Sequence, residues 1–472
     1  MPLKDVVTMT KQGKIILGSL GCLALLIYGF YFIKNQQKLK IEIFETAEKN
    51  IISTIENQSS PKNNQLIKTK KHQTEIFIYL PENSQKEPYL EIKADLEKIA
   101  AELEKETSQE VVTKIVLDTQ EQPLKDSLST YVYTQKVYQW VPRKETWQET
   151  TKTLPNKVLI NKLTNKKLTL GDVFTSQQHL LMINRHIQEE HLANSDQSPE
   201  AINKILNFPQ FLATETNFTF YEDHVLVHLP NQPDYPLNYL DYSQYVNPDL
   251  IAEEFVTTSE EPLFVAKNKQ IALTFDDGPG EKTTPELLTL LKKHQVPATF
   301  FMLGQQVEKF PNIVKQISQE GHELANHSYN HPDLTTLNRE EVRQQINQTQ
   351  SAIYQASGVL PKYVRPPYGS FNYETAISIG LPIINWSVDS LDWKSKDEKK
   401  IVEEIIKTTE ANSIILTHDI HQETIDSMDK VITDLKKDGY EFVTISELLQ
   451  NPAKPLTVHY AANDQRPINP KK

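Results

Sequence analysis

Cysteine is nearly absent from this chain of 472 residues: there is one, Cys22. A single thiol closes no intramolecular disulfide, so the folded parts must hold together by packing alone, as a large exported chain can. Glycine is also sparse for a long stretch. Gly171 is the only glycine between Gly29 and Gly278, whereas eight follow from Gly278 onward. Tight strand-to-helix turns are therefore expected in the last part of the chain. Positive charge is outnumbered, with 50 Lys and Arg against 62 Asp and Glu, a net charge of −12 and a pI of about 5.6. That balance argues against a nucleic-acid partner and offers no general attraction to an anionic polymer. Any substrate has to be held locally, at a groove or a metal.

Long apolar runs are few, and one stands out. Ile15 to Ile33 carries no charged residue; its roughly 19 residues would span ~28 Å as a helix, enough to cross a bilayer. Lys4, Lys11 and Lys14 precede it with one acidic residue, Asp5, which favours a cytoplasmic amino terminus, although Lys34, Lys38 and Lys40 on the far side weaken that bias. The run ends in Tyr31-Phe32-Ile33-Lys34 without a small-residue cleavage site, so an anchor is expected rather than a removed leader. Cys22 lies inside it. Ser19 stands where a lipid-attachment motif would want an apolar residue, and the run continues past the cysteine, so Cys22 reads as an embedded thiol.

Length suggests about three domains after the anchor. Residues 1–34 read as tail and anchor, and 35–71 as a polar stalk with an amphipathic stretch from Ile41 to Ile55. Residues 72–155 read as a small α+β domain, with strands Glu75–Leu80, Val111–Asp118 and Tyr131–Trp140 and a helix Tyr89–Lys105. Residues 156–266 read as a second α+β domain containing Val158–Ile160, Leu168–Phe174, a helix His179–His191 and a strand pair within Phe218–Leu229. Neither carries a catalytic constellation, so spacer, wall-binding and folding roles stay open. From 267 to 450 strands and helices alternate. Thr284-Pro-Glu286 and Asn338-Arg-Glu-Glu341 start helices, and Gly358 ends the second. That alternation predicts a parallel α/β barrel. Residues 451–472 hold four prolines and read as a frayed tail.

The chemistry is concentrated in the alternating part. Ile271 to Phe275 is a short apolar run that reads as a buried strand, cut off by Gly278-Pro279. Asp276 and Asp277 then stand at its carboxyl end, where α/β sheets assemble sites. Consecutive strand side chains point opposite ways, so the two carboxylates can serve a metal and a water separately. A bare Asp-Asp pair is usually a solvated turn; the strand before it and the Gly-Pro after it favour a function. His327 and His331 are four apart, a spacing that brings two imidazoles together, here on a turn because Pro332 disfavours helix. Such a pair is ordinarily surface or capping, and a carboxylate donor elsewhere reverses that reading. Arg365-Pro-Pro-Tyr-Gly369, Asp389-Ser-Leu-Asp-Trp393 and Leu416-Thr-His-Asp419 each follow an apolar strand. Individually they are an exposed loop arginine, a lid tryptophan and a common tripeptide.

Together and in this order, the five segments resemble the five motifs of the NodB-type polysaccharide deacetylases, metal-dependent carbohydrate esterases, over about Lys267 to Leu449. The wording of Asn385-Trp-Ser-Val-Asp-Ser-Leu-Asp-Trp-Lys394 and the anchored layout are most similar to the streptococcal peptidoglycan N-acetylglucosamine deacetylases. The resemblance implies a distorted (β/α) barrel in which Asp277, His327 and His331 bind one divalent metal ion. Zinc is expected, with cobalt or nickel accepted by the same donors. It implies Asp276 as general base, His418 as the acid that protonates the leaving amine, Asp392 as the residue that tunes His418, and Arg365 as the partner of Asp276. The backbone N–H of Tyr368 would steady the oxyanion, a contribution of about 3 to 4 kcal/mol per donor. Trp393 and Leu416 would line an acetyl-sized groove.

His421 reads as a helix-start or loop residue, and the remaining histidines show no partner pattern. The implied activity is hydrolytic N-deacetylation of peptidoglycan glycan strands, leaving a wall that lysozyme attacks poorly. The enzyme would face the wall from a bacterial cell membrane, without an obligate protein partner. The rivals are the same chemistry on poly-N-acetylglucosamine, chitooligosaccharide or an O-acetylated sugar, a non-catalytic wall-binding or sensory ectodomain, and a purely structural surface protein.

Overall fold

The computed structural model describes residues 11–58, 64–106, 110–257, 269–450 and 453–470, apart from the side chains of 11–22 and of 156. Its packing divides the chain after Leu168 into two compact units.

In the first unit a helix, α1, runs from Lys11 to Gln58. Strands β1 (Asn64–Lys71) and β2 (Thr74–Pro81), the helix α2 (Leu90–Lys105) and strands β3 (Thr113–Lys125), β4 (Leu128–Val141), β5 (Thr146–Asn161) and β6 (Lys166–Lys167) come next. The six strands form one sheet in chain order, in which only β2 and β3 are parallel neighbours. Alternation along β2 explains how both faces are covered. Ile76, Ile78 and Leu80 pack with Ile92, Leu96 and Ala100 of α2, whereas Phe77 and Tyr79 pack with Ile51, Ile52 and Ile55 of α1.

Two expectations change here. The stretch expected as a stalk is ordered structure: its amphipathic stripe has a sheet face to cover, the Trp147 indole N–H donates to Ala47 O at 3.2 Å, and residues 64–71 are strand β1. The break expected at 155–156 falls inside β5, whose pairing with β4 carries Val158–Ile160 into this first sheet. The expected anchor lies in α1 and is only partly within the described side chains; among the described residues no helix is long and apolar enough to cross a membrane.

The second unit begins with the short helix Leu170–Val173, followed by the helices Gln177–Ala193 and Pro199–Leu206 and a small antiparallel sheet of β7 (Phe218–Phe220), β8 (His224–Val227) and β9 (Tyr235–Asn238). This segment is fastened to the alternating part of the chain by hydrogen bonds. Arg343 Nη2 donates to Phe208 O at 2.9 Å, Gln210 Nε2 to Ile377 O at 3.2 Å, and Gln178 Nε2 to Pro455 O at 2.7 Å.

The remaining strands are β10 (Gln270–Asp276), β11 (Thr299–Met302), β12 (Glu323–Asn326), β13 (Ile383–Ile384), β14 (Val388–Asp389), β15 (Ile414–His418), β16 (Glu441–Val443), β17 (Thr457–Ala461) and β18 (Asp464–Pro467). The parallel order is β12-β11-β10-β15-β14, with β16 on the start of β10. Bridges from Asn326 to Val364 and from Val364 to Ile383 carry the curl on to β13 and β17. Helices such as Thr283–His294 and Gln422–Lys437 cover the outside, burying Leu287, Leu291, Met428 and Ile432 against Ile271, Leu273 and Phe275.

The expected frayed tail is a correction. Residues 457–467 form the hairpin β17–β18, because Leu456, Val458 and Ile468 sink into the core beside Val364 and Ile383. Their apolar side chains outweigh the prolines around them.

Candidate active site

The parallel register builds this site. Asp276 of β10 stands opposite His418 of β15, Asp389 of β14 opposite Leu416, and Met302 of β11 opposite Asn326, with His327 one residue past β12. All the chemistry therefore emerges at the carboxyl ends of neighbouring strands. The loops leaving those ends hold unusual backbone. Asp277 (φ 72°), Ser328 (70°), His331 (65°), Tyr368 (60°) and Leu391 (53°) all occupy the left-handed region without being glycine. Conformations of this kind persist where the surroundings dictate them, and they cluster at functional sites.

The Asp277, His327 and His331 ligand atoms lie within 4.8 Å of one another. The Asp277 Oδ1 atom is buried without a hydrogen-bond partner, and the Nε2 atoms of His327 and His331 approach it at 3.5 and 3.6 Å. Those separations exceed a hydrogen bond and match two ligands about 2.1 Å from a shared ion. The His327 Nδ1 atom is 2.7 Å from Arg365 O, which fixes its proton there and leaves Nε2 free to ligate. Burial, with His331 beside it, pushes the His327 imidazole down to about 3 against the pull of Asp277, so it is neutral at any working pH. The donor set fits a divalent metal ion.

Asp276 and Arg365 form a buried pair behind this triad. Arg365 is 0% exposed, and its Nη1 atom donates to Asp276 Oδ1 at 2.6 Å and to Thr274 Oγ1 at 2.8 Å. Its other nitrogens donate to Ile384 O at 3.0 Å and Asn385 O at 3.1 Å, and its plane lies 4.1 Å from the Phe301 ring centre. Burial raises the Asp276 carboxyl above the ordinary carboxylate range, opposed by Arg365. A raised carboxylate is a better base.

The second couple is His418 with Asp392. The His418 Nδ1 atom and its backbone N–H each lie 2.8 Å from an Asp392 oxygen, and Thr424 Oγ1 donates to the same carboxylate at 2.7 Å. Burial opposes charge on His418, but the Asp392 hydrogen bond and the carboxylates of Asp392, Asp276 and Asp277 outweigh it and push the imidazole up to about 9. Asp392 resists its own burial through these bonds and stays below the usual range.

A cavity of about 420 Å³ opens over both couples. Tyr368, Trp386, Trp393 and Leu416 line it, with the Tyr368 ring edge-on to His331 at 4.6 Å. His421 precedes the helix Gln422–Lys437 and stands outside the ligand cluster.

Supporting residues were not singled out in the sequence. Thr274 lies two positions before Asp276 on the same strand face, a period-two signal that could have found it. Asp419 is fully buried, accepts from Thr284 Oγ1, and is pushed up to about 7 by burial. Thr284 in turn accepts the Gly280 N–H at 2.7 Å, and a Cβ on Gly278 would sit 2.3 Å from the Asp419 carboxylate. No local pattern announces that contact, because Asp419 reaches the loop from about 140 residues further along the chain.

The pattern described as polysaccharide deacetylase matches residues 265–384. A peptidoglycan-N-acetylglucosamine deacetylase of Listeria monocytogenes is 34% identical over 388 residues, covering 80% of this chain and 83% of its own length. A peptidoglycan-N-acetylglucosamine deacetylase of Bacillus cereus is 42% identical over 188 residues, 38% of this chain and 68% of its own. The solved structure of the peptidoglycan deacetylase PdaC from Bacillus subtilis aligns with a TM-score of 0.38 at 42% identity, covering 39% of this chain and 91% of its own. An Asp/His/His cluster that fits a metal, with a buried Asp–Arg pair and an Asp–His pair beside it at the strand ends of a curled α/β sheet, together with deacetylase relatives, defines a hydrolase. The chain belongs to the polysaccharide deacetylase family.

Proposed function

We propose that this chain hydrolyses the acetamide of N-acetylglucosamine residues in peptidoglycan, releasing acetate and leaving glucosamine. The observation that carries the reading is the presence of two separately tuned couples, Asp276 with Arg365 and His418 with Asp392, around one cavity that also holds Asp277, His327 and His331. An amide needs both functions: a base to activate water and an acid to make the amine leave.

Asp277, His327 and His331 would hold one divalent metal, zinc by preference with cobalt or nickel accepted. When bound, the metal supplies Lewis-acid polarisation of the acetamide carbonyl. Asp276, with Oδ1 committed to Arg365, takes the proton of the attacking water through Oδ2 as the new C–O bond forms. The Tyr368 N–H steadies the oxyanion. The Nε2–H of protonated His418 passes to the nitrogen as the C–N bond breaks, while Asp392 keeps the ring oriented through Nδ1. Trp393 and Leu416 flank the acetyl group.

Peptidoglycan is chosen because similarity to the Listeria deacetylase runs along most of this chain and is not confined to the barrel. A location on a bacterial cell membrane, with the catalytic part facing the wall, is supported by the uncharged run Ile15–Ile33. Nine large apolar side chains from Leu23 to Ile33 are each more than half exposed. The test is acetate release by the metal-loaded chain from purified peptidoglycan, from N-acetylglucosamine oligomers and from O-acetylated xylan. Release from the amino sugars supports the reading; release from xylan alone replaces it, and silence on all three with metal bound returns the chain to a binding or sensory role.

A further inference from the structure

We infer that the C-terminal hairpin β17–β18 is a positioning element of the catalytic apparatus, holding the backbone carbonyls that aim Arg365 at Asp276; this rests on the deacetylase reading. Arg365 takes two of its acceptors from side chains, Thr274 and Asp276, and two from the backbone, Ile384 O and Asn385 O. The direction of the guanidinium therefore depends on where residues 384 and 385 sit.

Ile384 ends, and Asn385 directly follows, a strand too short to hold itself, since β13 is only Ile383–Ile384. One edge is held by Val364: Ile384 N donates to Val364 O at 2.9 Å, and Val364 N to Pro382 O at 3.1 Å. The other edge is held by the hairpin. Ile383 and Ile384 pair with Val458 and His459, and Asn385 N donates to His459 O at 2.8 Å. The Arg365 acceptors and the hairpin thus share the same two or three peptide units.

The hairpin is itself tied to the strand that carries the acid. Ala461 bridges Ser413, and Ala462 N donates to Asn412 O at 3.0 Å, immediately before β15 and His418. Its side chains lock it down: Val458 packs in the cluster with Val364 and Ile383, and Ala462 in the one with Ile384, Ile414 and Phe301, whose ring faces Arg365. A segment about 40 residues after His418 in sequence therefore braces the base-side arginine and the root of the acid's strand together. Loss of that brace leaves Asp276 its partner but frees the partner's direction.

The experiment compares kcat and KM for acetate release, with metal content per chain, in the unaltered chain and in one ending at Asn451, each with and without Arg365→Lys. A misplaced catalytic pair costs on the order of 100-fold, so removing the hairpin is expected to lower kcat by about 10- to 100-fold with KM and metal content within about twofold. Arg365→Lys lowers kcat by itself, because lysine cannot reproduce the fork of donors. In that background, removing the hairpin should cost little more, since both changes strike the same link. Adding a peptide of residues 453–470 should restore kcat only where Arg365 is present. An unchanged kcat, or an equal loss in both backgrounds, overturns the inference. If the shortened chain does not fold, Val458→Ala and Ile468→Ala loosen the hairpin in place, and the same cycle with Arg365→Lys is read in the same way. A silent unaltered chain overturns the deacetylase reading instead, and the inference with it.

Discussion

Two buried cations set the units of this chain against each other. In the first unit Lys114 is 2% exposed, and its ammonium lies 2.7 Å from Glu48 of α1 and 2.7 Å from Glu75 of β2. In the second, Arg365 is 0% exposed and meets one carboxylate, one hydroxyl, two carbonyls and an aromatic face. The partners of Lys114 keep part of their surface in solvent, so that ion pair fastens a helix to a sheet and little more. Asp276 is 2% exposed and stands at the mouth of a cavity beside two histidines. A buried ion pair by itself does not mark chemistry; a pair whose free oxygen faces a cavity does.

The units also differ in charge. Each holds 25 basic residues, but residues 1–168 hold 20 acidic ones and residues 169–472 hold 42. The acidity of the chain therefore belongs to the unit with the site. Left-handed residues lie at turns in both units, such as His72 and Glu145 in the first and Gln295 and Asn412 in the second, but only the second adds five on the loops of the site.

The sharpest way to test this contrast is to neutralise Asp276. Asp276→Asn should lower kcat by about 10²- to 10⁴-fold, the range of general base catalysis, while metal content and unfolding midpoint hold; normal turnover would end the assignment. His331→Ala removes one of three ligands and should give a folded chain that loses its metal on gel filtration, measured as metal per chain, with activity falling alongside.

Asp392→Asn should cost about 10- to 100-fold, as loss of an orienting partner does. It also carries a pH signature. In the proposed reaction His418, raised to about 9, donates only while protonated, so activity should fall as pH rises through that value. At the other end Asp276, raised by burial, has to be ionised to act as the proposed base, so activity should fall as pH falls. Removing the Asp392 charge moves the alkaline limb of kcat to lower pH; a limb that stays in place would separate it from His418.

The smallest effect is expected in the first unit. Lys114→Met leaves Glu48 and Glu75 facing each other and should cost about 1 to 3 kcal/mol, less than a fully buried pair because both carboxylates reach solvent. Denaturant unfolding measures it. Acetate release should stay at the level of the unaltered chain, and a fall at constant folded fraction would break the contrast between a fastening pair and a tuning pair.

The site was largely legible because its residues sit where local rules place them. Ile271–Phe275 announces a strand by composition, Gly278-Pro279 ends it, and the carboxylates between are left at its tip. His327 and His331 carry their relation in their spacing. Arg365 and Asp392 were legible only by resemblance, since an arginine before Pro-Pro says nothing local about the carboxylate it meets 89 residues earlier. The hairpin escapes a sequence reading because β17 and β18 have only five and four residues, too few for a period to show, and the prolines around them dominate. The polar stretch after the uncharged run Ile15–Ile33 escapes it for a related reason: what Ile51, Ile52 and Ile55 cover lies on strands that come later in the chain.

Local properties of the sequence, its strand ends, residue spacing and side-chain chemistry, were enough for the alternating α/β plan of the last part, the carboxylates at a strand tip and the paired histidines; the roles of base, acid and metal ligand came with the resemblance. The tertiary structure alone decided that Asp276 and His418 face each other in register, that Arg365 is aimed through carbonyls held by the C-terminal hairpin, and that Asp419 braces the Gly278 loop. These depend on parallel pairing and burial between segments tens to more than a hundred residues apart, and such contacts leave no mark on either segment read alone.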